Sequence, residues 1–64
     1  MKKLELEYLI GKSELESRKI AENNGYAFRI TRYDDVDFMI TSDFRMDRIN
    51  VEVKNDIIID VKLG

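Results

Sequence analysis

The side chains with the most to offer chemically lie between positions 41 and 50. Thr41 and Asp43 flank Ser42, and in an extended chain they point to the same side. Arg48 and Asn50, on the outward face of the strand that follows, can reach back beneath them. An Asp–Arg pair is charge-assisted and can be bidentate, so it positions as well as attracts. The alternative is that Arg45, Asp47 and Arg48 are ordinary solvated charges, as most surface ions are. Either way the chemistry is that of holding a segment in place. The chain has no His and no Cys. An imidazole base, a Ser–His pair, a thiolate nucleophile and a thiolate zinc site are therefore all excluded. Asp34, Asp35 and Asp37 are spaced loosely like the start of a calcium loop, but the Gly and distal Glu of that motif are missing. They are expected to be solvated, with no metal and no cofactor.

The frame around these residues is small. Sixty-four residues make one domain, 1–64, near the lower limit for independent folding. That leaves little room for a water-excluding pocket, so an enzyme is not expected. Eleven basic residues are interspersed with thirteen acidic ones, giving a net charge of −2 and no dense basic face for nucleic acid. The apolar runs are too short to cross a membrane. Met1-Lys2-Lys3-Leu4 begins as a signal peptide does, but Glu5 and Glu7 interrupt the apolar region that must follow. A cytoplasmic, monomeric protein is the expectation.

Four elements must position the candidate residues. Ser13-Glu14-Leu15-Glu16 matches a capping box, and Asn23-Asn24-Gly25 supplies a stop, so a helix is expected over 13–23 with Leu15 and Ile20 on its apolar stripe. Alternation predicts a strand over 27–33, with Phe28 and Ile30 inward. It predicts another over 48–53, with Ile49, Val51 and Val53 inward and Arg48, Asn50 and Glu52 outward. A third covers 57–62, and the short turn at Lys54-Asn55-Asp56 makes the last two strands an antiparallel hairpin. Leu4, Leu6, Leu9 and Ile10 read as an extended or loosely wrapped lead-in ending at Gly11.

The thirteen residues 34–46 are left over, and connections of that length in compact domains are usually functional or disordered. Val36, Phe38, Met39, Ile40, Phe44 and Met46 make this one too apolar for a disordered linker. Two readings stand. An exposed loop would present these side chains to a partner; otherwise Phe38-Met39-Ile40-Thr41 is a further strand of an ordinary α+β core.

Leu9-Ile10-Gly11-Lys12-Ser13, the helix after it, the run Thr41-Ser42-Asp43-Phe44-Arg45-Met46-Asp47-Arg48-Ile49-Asn50-Val51 and the closing Gly64 together resemble the potato inhibitor I family of serine protease inhibitors, including its bacterial peptidase-inhibitor relatives. The resemblance runs in order from residue 9 to residue 64. It implies an α+β fold: one helix packed on a small mixed sheet, with a long exposed binding loop between two parallel strands, 27–33 and 48–53. It implies a reactive-site loop of Ile40, Thr41, Ser42, Asp43 and Phe44, with Ser42 before and Asp43 after the scissile bond. Arg45, Arg48 and Asn50 would support that loop. The partner implied is a serine protease of the subtilisin-like or small-S1-pocket type, which receives Phe38–Arg45 as a substrate. Three features depart from the family pattern. Asn50 stands where a second Arg is common, Ser42 is small and polar, and the loop start at Tyr33-Asp34-Asp35-Val36-Asp37 is longer and more acidic. A second function is therefore carried alongside: a cytoplasmic interaction module that keeps the fold and uses the loop for a non-protease partner.

Overall fold

The structure, a computed structural model, describes residues 4–64; the charged start at Met1, Lys2 and Lys3 lies outside the described residues. The chain begins with a 3-10 turn at Leu6–Leu9, followed by helix α1 (Glu14–Asn23). Strands β1 (Ala27–Tyr33), β2 (Val36–Asp37), β3 (Arg48–Lys54) and β4 (Ile57–Leu63) complete it. They form one mixed sheet in the order β2-β1-β3-β4, with β1 and β3 parallel and the other two pairings antiparallel. One helix on a four-stranded mixed sheet is an α+β domain. Among the described residues no helix is long and apolar enough to cross a membrane.

The helix starts where the capping box places it. Ser13 Oγ accepts from the Glu16 amide at 3.1 Å, satisfying one of the orphan donors of the first turn. Ile20 of the expected stripe packs against the core, but the rest of the buried face differs. Leu15 is 61 % exposed, and the buried helical residues are Ser17 and Ala21. Two small side chains one turn apart allow the helix to lie close to the strands, where a bulkier stripe would hold it off. The core consists of Leu9 and Ala21 with Ile49, Val51, Val53 and Ile58 from β3 and β4. Phe28, Ile30 and Tyr33 of β1 pack against it from the side.

The lead-in is more ordered than an extended segment. Its 3-10 turn buries Leu9, and the chain then runs along the start of β4. There Gly11 N–H donates to Ile58 O at 2.9 Å and Ile58 N–H donates to Lys12 O at 2.9 Å. That stretch covers the start of an edge that would otherwise present unpaired backbone groups.

Residues 34–46 also differ from a plain loop. Asp34 and Asp35 form a two-residue turn with φ of +49° and +70°, which folds β2 back against β1. Asn55 and Asp56 do the same between β3 and β4 with φ of +53° and +65°. Positive φ at both central residues matches the twist of a hairpin, and Asn and Asp tolerate it better than other residues with a side chain. The two turns lie side by side: Asn55 N–H donates to Asp34 Oδ1 at 2.8 Å, and Lys54 Nζ is 3.3 Å from Asp35. Phe38-Met39-Ile40-Thr41 is not a strand; residues 38–47 carry no helix or strand and all are exposed.

Removing the cap with Ser13→Ala is expected to cost about 1 kcal/mol, or roughly 4–8 °C in melting temperature for a domain of this size. Ala21→Leu is expected to cost about 1–3 kcal/mol by overpacking the helix against the sheet. Urea titration measures both; an unchanged midpoint for Ala21→Leu would contradict the close approach of the helix.

Candidate functional site

Strand alternation divides β3 between two environments. Ile49, Val51 and Val53 point into the core beneath α1, so Arg48 and Asn50 emerge on the opposite face, where the chain between β2 and β3 passes. That chain covers them: Arg48 is 9 % exposed and Asn50 5 %. A guanidinium and an amide this buried must find partners, because an unpaired buried polar group costs about 1–3 kcal/mol.

Arg48 finds them on both sides of β3. Nη2 donates to Asp43 O at 2.8 Å and to Gly64 O at 2.6 Å, while Nη1 lies 3.5 Å from Asp43 Oδ2. The expected Arg48–Asp43 pairing is therefore present, and its shorter bond goes to the Asp43 carbonyl rather than its carboxylate. Gly64 is buried and completes the cluster. Its N–H donates to Arg48 O at 3.1 Å, and its oxygen also accepts from Arg45 N–H at 3.1 Å. A Cβ at Gly64 would stand 2.7 Å from Asn50 Nδ2, so the position accommodates only a hydrogen there.

Among the described residues no hydrogen bond runs from the Asn50 side chain to the loop that covers it. Its Oδ1 accepts from Arg29 Nε at 2.8 Å, and Arg29 Nη1 donates onward to Thr41 Oγ1 at 3.1 Å. The group that grips Thr41 is thus Arg29 of β1, which the sequence reading left unassigned. Its signal was available in part, since inward Phe28 and Ile30 place Arg29 outward. Only the parallel register, with Arg29 opposite Asn50, brings it beneath Thr41.

Arg45 supports the loop locally. Nε and Nη2 form a two-pronged bond with the Asp47 carboxylate at 3.0 and 2.8 Å, and Asp47 O accepts from Ala27 N–H at 2.8 Å. Ile40, Thr41, Ser42, Asp43 and Phe44 are all exposed. Together with Phe38 and Met39 they present a ridge of mostly apolar side chains, with Met39 fully solvent-facing.

Charge follows from this geometry. The Asp43 carboxyl lies below its ordinary range, chiefly through the Thr41 hydroxyl beside it; desolvation opposes this, and the positive charge of Arg48 lowers it further. Asp47 is lowered by its bonds from Arg45. A carboxyl that is more acidic folded than unfolded stabilises the fold above the unfolded value near pH 4. That contribution is lost as the pH falls through the folded value.

The aspartates of the acidic turn have partners of their own. Asp34 accepts from Asn55, Asp35 faces Arg32 and Lys54, and Asp37 lies 3.6 Å from Arg32. Among the described residues no three potential ligands converge.

No protein-family model and no curated protein matches the chain. What the arrangement does chemically must be argued from its own geometry: two guanidinium groups, rooted in adjacent strands, hold the exposed chain on either side of Ser42.

Titrating the Asp43 carboxyl by NMR is expected to give a midpoint below that of a free aspartate, and Thr41→Val is expected to move it upward. A midpoint unaffected by Thr41→Val would contradict the hydroxyl contact.

Proposed function

We propose that the protein is a serine protease inhibitor, not an enzyme, and acts as a monomer by inserting Phe38–Arg45 into a protease cleft as a substrate would. The observation that carries this reading is the grip on Thr41 and Asp43 by Arg29 and Arg48, with Ser42 exposed between them. A flexible loop loses affinity to the ordering it must undergo on binding, whereas a pre-held loop avoids that loss. The resemblance to the potato inhibitor I family supports the same reading.

In this mechanism the protease serine attacks the Ser42 carbonyl carbon. The bond to the Asp43 nitrogen breaks, and Ser42 becomes the acyl group while Asp43 leaves with a free amine. In an ordinary substrate that amine diffuses away. Here the Asp43 carbonyl is bonded to Arg48 and the following residues to Gly64 and Asp47, so the amine stays beside the ester. Its return at high effective concentration outpaces water and restores the intact bond.

Ser42 brings little apolar surface to the specificity pocket, so the fit is to a small S1 pocket. A second reading, an interaction module with a non-protease partner, is favoured by the same small Ser42 and by the exposed Phe38, Met39, Ile40, Phe44 and Met46.

Inhibition constants measured against subtilisin-, elastase- and chymotrypsin-like enzymes test the proposal. Micromolar or tighter inhibition of at least one is expected. Ser42→Leu is expected to tighten binding to the subtilisin-like enzyme by about 1.5–3 kcal/mol, or roughly 10- to 150-fold. No inhibition across the panel, by either protein, would sink the inhibitor reading and leave the interaction module.

A further inference from the structure

Arg29 is half-buried on β1, yet among the described residues no carboxylate pairs with it. The other arginines of the chain, Arg18, Arg32, Arg45 and Arg48, each have an acidic neighbour within ion-pair range. Arg29 directs its guanidinium instead to two neutral oxygens, Asn50 Oδ1 and Thr41 Oγ1. The Nε bond to Asn50 comes from the adjacent strand and fixes the plane of the fork. With that plane fixed, Nη1 is aimed at Thr41. Asn50 itself is 5 % exposed, and its Nδ2 fits beside Gly64 only because that residue has no side chain.

We propose that Arg29 is the positioning residue for the chain on the amino-terminal side of Ser42, oriented by Asn50, and so a determinant of how well the site inhibits. This rests on the inhibitor reading above. Arg48 holds the segment after Ser42 and Arg29 the segment before it, so a cut between residues 42 and 43 leaves each new end tethered to a different strand. β1 and β3 are hydrogen-bonded in register beneath the cut, and their spacing fixes the separation of the two ends. Asn50 anchors the Arg29 guanidinium to β3, the strand that also carries Arg48.

The test compares the intact chain with Arg29→Met, Arg29→Lys, Thr41→Val and the Arg29→Met/Thr41→Val double variant. Inhibition of a subtilisin-like protease is measured alongside backbone 15N relaxation without protease. Arg29→Met is expected to weaken inhibition about 10- to 100-fold and to speed hydrolysis, in keeping with loss of a charge-assisted bond. Arg29→Lys is expected to recover part of that loss. Thr41→Val should add little in the Arg29→Met background, because the two changes remove the same bond. Relaxation should show new mobility confined to residues 40–43, with the melting temperature within a few degrees.

Equal inhibition by Arg29→Met and the unaltered chain would overturn the proposal while leaving the inhibitor reading intact. If no protease is inhibited at all, that reading fails by itself, and relaxation still decides the brace. Unchanged mobility at 40–43 in both Arg29→Met and Thr41→Val would overturn it. Thr41→Val alters an exposed side chain and leaves β1 untouched, so the test does not depend on Arg29→Met folding.

Discussion

The parallel pairing of β1 with β3 is the constraint from which the rest of the molecule follows. Two antiparallel strands can be joined by two residues, as β3 and β4 are, but parallel neighbours require the chain to travel back the length of the sheet. Most proteins make that return with a helix. Here α1 precedes β1 and already covers one face, so the return runs as residues 34–47 across the other. A short hairpin arm, β2, takes the chain off the end of β1, and an exposed segment brings it to the start of β3. The length of the loop is thus a requirement of topology.

The same pairing explains why polar groups are buried under that loop. A sheet covered on one side by a helix presents its second face to water, and β3 places Arg48 and Asn50 there. Once the returning chain covers them they need partners: Arg48 donates to backbone carbonyls of the loop and of Gly64, and Asn50 accepts from Arg29. A buried guanidinium is weak as a source of net stability, because desolvation offsets much of what its bonds return. It is strong as a source of geometry, since the two Nη groups of Arg48 lie in one fixed plane and each sets where its acceptors lie, even though Nε has no partner among the described residues. The site therefore gives up stability for precision in where residues 41–43 lie.

Much of the frame was legible in the sequence because local signals agreed with the final packing. The Ser13 box started the helix, alternation marked β1 and β3, and the Asn55-Asp56 turn joined β3 to β4. Where reading failed, non-local packing decided. β2 is two residues long and lies among aspartates that disfavour strands, and its turn lacks the glycine that usually announces a hairpin. Leu15 follows helical periodicity but faces water, because the contact with the sheet is made by the small Ser17 and Ala21. Around the site, the pairing of Arg48 with Asp43 could be foreseen from types and spacing. Arg29 could not, because its role depends on strand register. Arg45 was foreseen as a support, but its partner is Asp47, two residues away.

A substrate-like inhibitor requires that the chain at Ser42–Asp43 be cut and rejoined without leaving its place. The direct measurement incubates the intact protein with a catalytic amount of subtilisin-like protease and follows the mass of the chain until it stops changing. A parallel incubation starts from protein already cut at that bond. The account predicts that both reach the same stable mixture of intact and cut chains, with cleavage only between residues 42 and 43. Digestion that runs to completion, or rapid cuts elsewhere in 36–45 with the protease left fully active, would contradict it.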